Sequence, residues 1–112
     1  MVIHKTFCDG VGLTGTAQVL YTVPVGLKGT LEKITFCNND SVARSVLLYL
    51  VPTGGTAGYI NQIEKAKVLQ PGETWSSPNA AGHLLEAGGM IQVTPSANTV
   101  IGCRATGYES TT

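Results

Sequence analysis

The chain has 112 residues, with seven Lys plus Arg against seven Asp plus Glu, and only 12% of it is charged. That length suits one domain with one core. Sparse, balanced charge offers no basic face for phosphate backbones, no polybasic membrane patch and no acidic tail, so neither nucleic acid nor membrane is an expected partner. Glycine and threonine are equally abundant, at 14 residues each. Thr and Val suit pleated strands and Gly suits turns, which together predict an all-β protein.

Residues 1–16 read as an N-terminal arm or edge strand, and residues 17–112 as a β-sandwich domain. Val2 to Cys8 has strand character, while Gly10, Gly12 and Gly15 loosen the segment after it. Ala17 to Val23 alternates, placing Ala17, Val19, Tyr21 and Val23 on one face, and Pro24-Val25-Gly26 ends it. Thr30 to Asn38 is the next strand, with Ile34 and Phe36 toward the core. Asn38-Asn39-Asp40-Ser41 then turns the chain into a strand from Ala43 to Pro52, giving a hairpin.

That strand carries Val46, Leu48 and Leu50 on one face and Leu47, Tyr49 and Val51 on the other. A half-exposed strand should alternate apolar with polar, whereas here both faces favour leaving water. One face belongs in the domain's own core. The other asks for a second sheet, an arm or a neighbouring molecule.

Beyond the Gly54-Gly55 loop, a short turn through Asn61 leads to a strand from Glu64 to Leu69. Gln70-Pro71-Gly72-Glu73 is a strong turn, Thr74 to Ser77 a short strand, and Glu86-Ala87-Gly88-Gly89 a further turn. Met90 to Thr94 and Thr99 to Tyr108 complete the set, separated by Pro95-Ser96-Ala97-Asn98. About eight short antiparallel strands with turns every eight to twelve residues predict a single β-sandwich of jelly-roll type.

Motifs for chemistry are missing. Three cysteines, Cys8, Cys37 and Cys103, and two histidines, His4 and His83, form no metal-ligand spacing, so neither metal nor cofactor is expected. Met1 to Asp9 has no apolar run of signal-peptide type, which predicts thiols made and kept in a reducing cytoplasm. A disulfide such as Cys37 to Cys103 is compatible with the sequence without being specified by it. No Gly-x-Ser-x-Gly elbow exists, Thr53-Gly54-Gly55-Thr56 lacks the Lys and helix of a phosphate loop, and the seven carboxylates fall mostly in turns. No catalytic residue is assigned. Trp75 is expected in the core.

The runs Tyr21 to Gly26, Leu31 to Asn39, Val46 to Pro52, Val68 to Thr74 and Leu84 to Ile91, in that order, resemble small β-sandwich virion proteins of tailed bacteriophages. The resemblance spans about residues 17 to 108. Gly89, where an acidic residue is common, and Cys103 depart from the pattern. The resemblance implies a non-enzymatic head decoration (cement) protein on the outer head surface of the virion, made in the host bacterial cytoplasm. Its partner would be the major capsid protein, and a homodimer on the shell is expected. Candidate contacts are Val2, Ile3 and Phe7 of the arm and Leu47, Tyr49 and Val51 of the doubly apolar strand. The alternative is a tail or fibre module for host carbohydrate, which predicts exposed Trp75, Tyr59 or Tyr108 around a groove.

Overall fold

A computed structural model describes residues 2–97 and 99–111; Met1, Thr112 and Asn98 of the expected turn lie outside the described residues. Nine strands appear among the described residues: β1 (Val2–Gly12), β2 (Gln18–Thr22), β3 (Leu27–Asn38), β4 (Arg44–Val51), β5 (Gln62–Leu69), β6 (Thr74–Ser76), β7 (Leu84–Leu85), β8 (Met90–Pro95) and β9 (Ile101–Thr111). A single 3₁₀ turn, Tyr59–Asn61, precedes β5. This matches the turn and strand expected there.

One sheet runs β1-β9-β3-β6, with the short β7 also on β3, and the other runs β2-β8-β4-β5. All pairings are antiparallel. The chain alternates between sheets in the order of a jelly roll, with β6 and β7 sharing the place of one strand. The β-sandwich expected from turn spacing is therefore the fold.

Between the sheets lie Leu31, Ile34, Phe36, Val46, Leu48, Ile91, Val93 and Ile101, all essentially inaccessible to solvent. Alternation alone is enough to assign Ile34, Phe36, Val46 and Leu48 to the inside. Trp75 is only half-buried: it stacks near Phe36 at 6.4 Å, and Lys67 lies 5.0 Å from its ring. The indole thus caps the core edge instead of filling it.

Bulges in four strands decide which side chains face inward, because an extra residue in one strand reverses the alternation beyond it. In β3 the pairing passes from Leu31↔Gly107 to Lys33↔Thr106, so Leu31 and Ile34 are both buried. In β2 it passes from Val19↔Gln92 to Tyr21↔Ile91. That break overturns the single face expected for Ala17 to Val23: Tyr21 and Val23 are buried, while Val19 is exposed. In β5, Ala66 adopts a positive φ of 50° between Lys67, opposite Val46, and Glu64, opposite Leu48.

The fourth bulged strand is β1, at the N-terminus. Of the arm-or-edge-strand reading, residues 2–12 take the edge-strand form, pairing with β9 from Val2↔Ser110 to Gly12↔Gly102. The pairing steps from Thr6↔Thr106 to Cys8↔Ala105, so Phe7 is the extra residue and both Phe7 and Cys8 point inward. Phe7 stacks on Tyr21 of the opposite sheet at 4.0 Å between ring centroids. The Tyr21 hydroxyl donates to Glu109 at 2.5 Å, and Lys5 reaches the same carboxylate at 3.3 Å. These contacts fasten β1 and β9 to β2 across the sandwich.

Burial, and then Glu109, hold the Tyr21 phenol above its ordinary value near 10. A raised folded value means that the unfolded chain releases the proton first as pH rises. The contribution is complete below pH 10 and lost progressively above it. Unfolding free energy should therefore fall above pH 10 by up to about 1.4 kcal/mol per pH unit from this group. Urea titrations between pH 8 and 11.5 should show a shallower decline in Tyr21→Phe, and equal slopes would dismiss the assignment.

Asn38 closes the β3–β4 hairpin from inside. Its buried amide donates to the carbonyls of Val42 and Leu69, both at 3.0 Å, and its oxygen accepts from the Asp40 amide at 2.9 Å. An Asn at that position thus satisfies a turn whose backbone would otherwise be orphaned. Arg44 pairs with Asp40 at 2.7 Å beside it and holds that carboxyl below its usual range.

Candidate interface at the apolar end of the sandwich

Strand register places Val2 opposite Ser110 and Leu27 opposite Thr111, while Val51 and Thr22 both oppose Met90. One end of the sandwich therefore gathers the start of β1, the Pro24-Val25-Gly26 turn, the 3₁₀ turn and β7. Nine large apolar side chains are exposed among the described residues. Six of them belong to this end: Val2, Ile3, Val25, Tyr59, Ile60 and Leu84. Exposure reaches 97% for Val25, 88% for Tyr59 and 81% for Ile60. The opposite end carries Asn39, Asp40, Ser41, Gln70 and Glu73 in its turns.

A cleft of about 540 Å³ opens into the apolar end. Ile60, Ile63, Leu84, Leu85, Leu50 and Pro52 supply its apolar wall, and His83, Glu86 and Asn61 its polar rim. Asn61 is already committed: its side-chain oxygen accepts from the Gly58 amide at 3.1 Å and its nitrogen donates to the Thr56 carbonyl at 2.9 Å. Those bonds rigidify the turn that displays Tyr59 and Ile60 to solvent. Apolar groups exposed at one end of the sandwich make that end a candidate contact region, because leaving them wet forfeits burial energy.

The six expected contact residues divide. Val2 and Ile3 are exposed at this end. Leu47 and Tyr49 are half-buried on the outer face of β4, where the Tyr49 hydroxyl accepts from Gln62 at 3.2 Å. Phe7 and Val51 are inside, so neither is open to a partner in this fold. Phe7 is drawn in by its bulge, and Val51 ends β4 where the 3₁₀ turn packs on that strand. Val25, Tyr59, Ile60 and Leu84 are surface residues that sequence reasoning does not single out as contacts. Their signal is weak, since an apolar residue in a short turn segment reads the same whether it folds inward or outward.

Two of the seven carboxylates, Glu64 and Glu109, are buried. Glu64 accepts from Ser77 Oγ at 2.6 Å and Asn79 at 2.9 Å, and Glu109 accepts from Tyr21 and Lys5. They lie in different sheets, each with its own donors, so they form no acid–base pair. Among the described residues, no three His, Cys, Asp or Glu side chains gather as metal ligands.

No protein-family model matches the chain, and no curated protein matches it. Two solved structures share the fold. One belongs to Bacillus endospore appendages, described as a novel family of disulfide-linked pili; it is 14% identical, with a TM-score of 0.56, over 98% of this chain and 88% of that chain. The other comes from the structure of infectious bursal disease virus, Gx strain; it is 11% identical, with a TM-score of 0.50, over 97% of this chain and only 30% of that chain. At such identities, the likeness is one of jelly-roll architecture.

Proposed function

We propose that this protein is a non-enzymatic structural component of a virus particle, a bacteriophage capsid decoration protein whose apolar end seats on the major capsid protein. The observation that carries the reading is the concentration of Val25, Tyr59, Ile60 and Leu84 at one end of a rigid, weakly charged sandwich. Burying each such side chain contributes about 1.5–3 kcal/mol before ordering costs are subtracted. Many copies on one lattice then resist separation of the coat subunits together, and pairing about a lattice two-fold would reuse one self-complementary surface.

The test is co-sedimentation of purified protein with DNA-filled heads that lack it. Wild type should pellet with the heads, and the triple variant Tyr59→Ser, Ile60→Ser, Leu84→Ser should lose at least 100-fold in affinity while keeping its circular dichroism. Pelleting by the variant at wild-type concentrations would remove the apolar end from the proposal. Failure of wild type to pellet would remove decoration itself.

One observation favours a second reading. Tyr59 stands fully displayed beside the cleft, as a tail or fibre module for host carbohydrate would require. A glycan array decides between the two: binding abolished by Tyr59→Ala supports carbohydrate recognition, and a blank array supports decoration.

A further inference from the structure

We infer that Cys8 and Cys103 are a thiol–disulfide site that closes within one chain and locks β1 onto β9. Both are buried and both face the inside of the same sheet, although they are 95 positions apart in sequence. Cys8 is registered opposite Ala105, yet its sulfur reaches past that partner to the Cys103 carbonyl at 3.6 Å. The reason is a further irregularity between Cys8 and Val11, where Gly10 adopts a φ of 70° and the strand swings across its neighbour. Buried thiols often serve only as small apolar fillers. Two of them on paired strands, with the sulfur of one at the backbone carbonyl of the other, form a site for oxidation.

Ionisation is divided between them. The neighbouring Cys103 side chain draws the Cys8 thiol down to about 7 against the cost of burial, while Cys8 and burial push Cys103 well above its ordinary range. Cys8 lies on the edge strand β1 and Cys103 on the interior strand β9, so Cys8 is the thiol that attacks first, as its thiolate. With glutathione disulfide as oxidant, Cys8 attacks one of its sulfurs and releases one glutathione thiolate, which takes up a proton. Cys103 then gives up its proton and attacks the Cys8 sulfur, expelling the second glutathione. The chain loses two hydrogens and two electrons, and glutathione disulfide gains both. Cys37, exposed on the outer face of β3, takes no part.

The experiment treats the full folded chain with glutathione disulfide at pH 8, blocks free thiols with N-ethylmaleimide and maps peptides by mass spectrometry. The expected product is a Cys8–Cys103 link in most chains, with Cys37 alkylated. A link spanning so long a loop should raise Tm by roughly 10 °C, reversibly on reduction. Cys37→Ser should behave identically. Recovery of Cys8 and Cys103 as alkylated or singly glutathionylated thiols would overturn the inference, as would links formed only through Cys37.

Discussion

Gly107→Ala is expected to prevent stable folding. A Cβ at this position would strike the Thr30 carbonyl of β3 and lie 2.5 Å from the Phe7 ring. A backbone carbonyl inside a paired ladder cannot move without breaking the β3–β9 register. The cost should exceed the usual 1–3 kcal/mol of overpacking and reach about 4 kcal/mol or more. Chemical denaturation followed by circular dichroism measures it. Removing the ring with Phe7→Ala should rescue only part of the loss, because the Thr30 carbonyl remains in the way. Wild-type stability for Gly107→Ala would show that β9 does not approach β3 and Phe7 as described.

Deleting residues 1–16 should abolish folding as well, and this outcome separates an edge strand that belongs to the fold from a dispensable arm. The deletion removes an eleven-residue strand and the buried side chains of Phe7, Cys8 and Leu13. It also strips β9 of one neighbour and leaves Tyr21 and Glu109 without the ring and the ammonium that flank them. Losing one large buried apolar side chain typically costs 2–5 kcal/mol, against a total stability of about 5–15 kcal/mol. Insoluble or unfolded product is the expected result, read by soluble yield and by circular dichroism. A soluble, cooperatively folding truncation would return residues 1–16 to the status of an arm.

Both predictions converge on the seam where β1, β9 and β2 meet. Phe7 lies against Gly107, stacks on Tyr21, and so couples the edge strand to the second sheet. The Cys8–Cys103 contact lies on this same seam, so oxidation would strengthen the junction that the deletion removes. The apolar end lies away from its centre, which leaves Tyr59, Ile60 and Leu84 open to change without loss of the core.

Local sequence was sufficient for the architecture and much of the core. Turn residues at regular spacing set the strands, Asn38-Asn39-Asp40-Ser41 set the hairpin, and strict alternation placed Val46, Leu48 and Leu50 inward. Each of these effects depends on residues within a few positions of one another. Phe7, Val19, Val51, Glu64 and Glu109 took their places through long-range pairing and packing instead. A bulge reverses a strand's faces through one extra residue whose position depends on the partner strand, and no property of Phe7 or Leu20 announces it. The apolar end was invisible for a related reason: Val2, Val25, Tyr59 and Leu84 are scattered along the chain, and only strand register across two sheets brings them to one end of the sandwich.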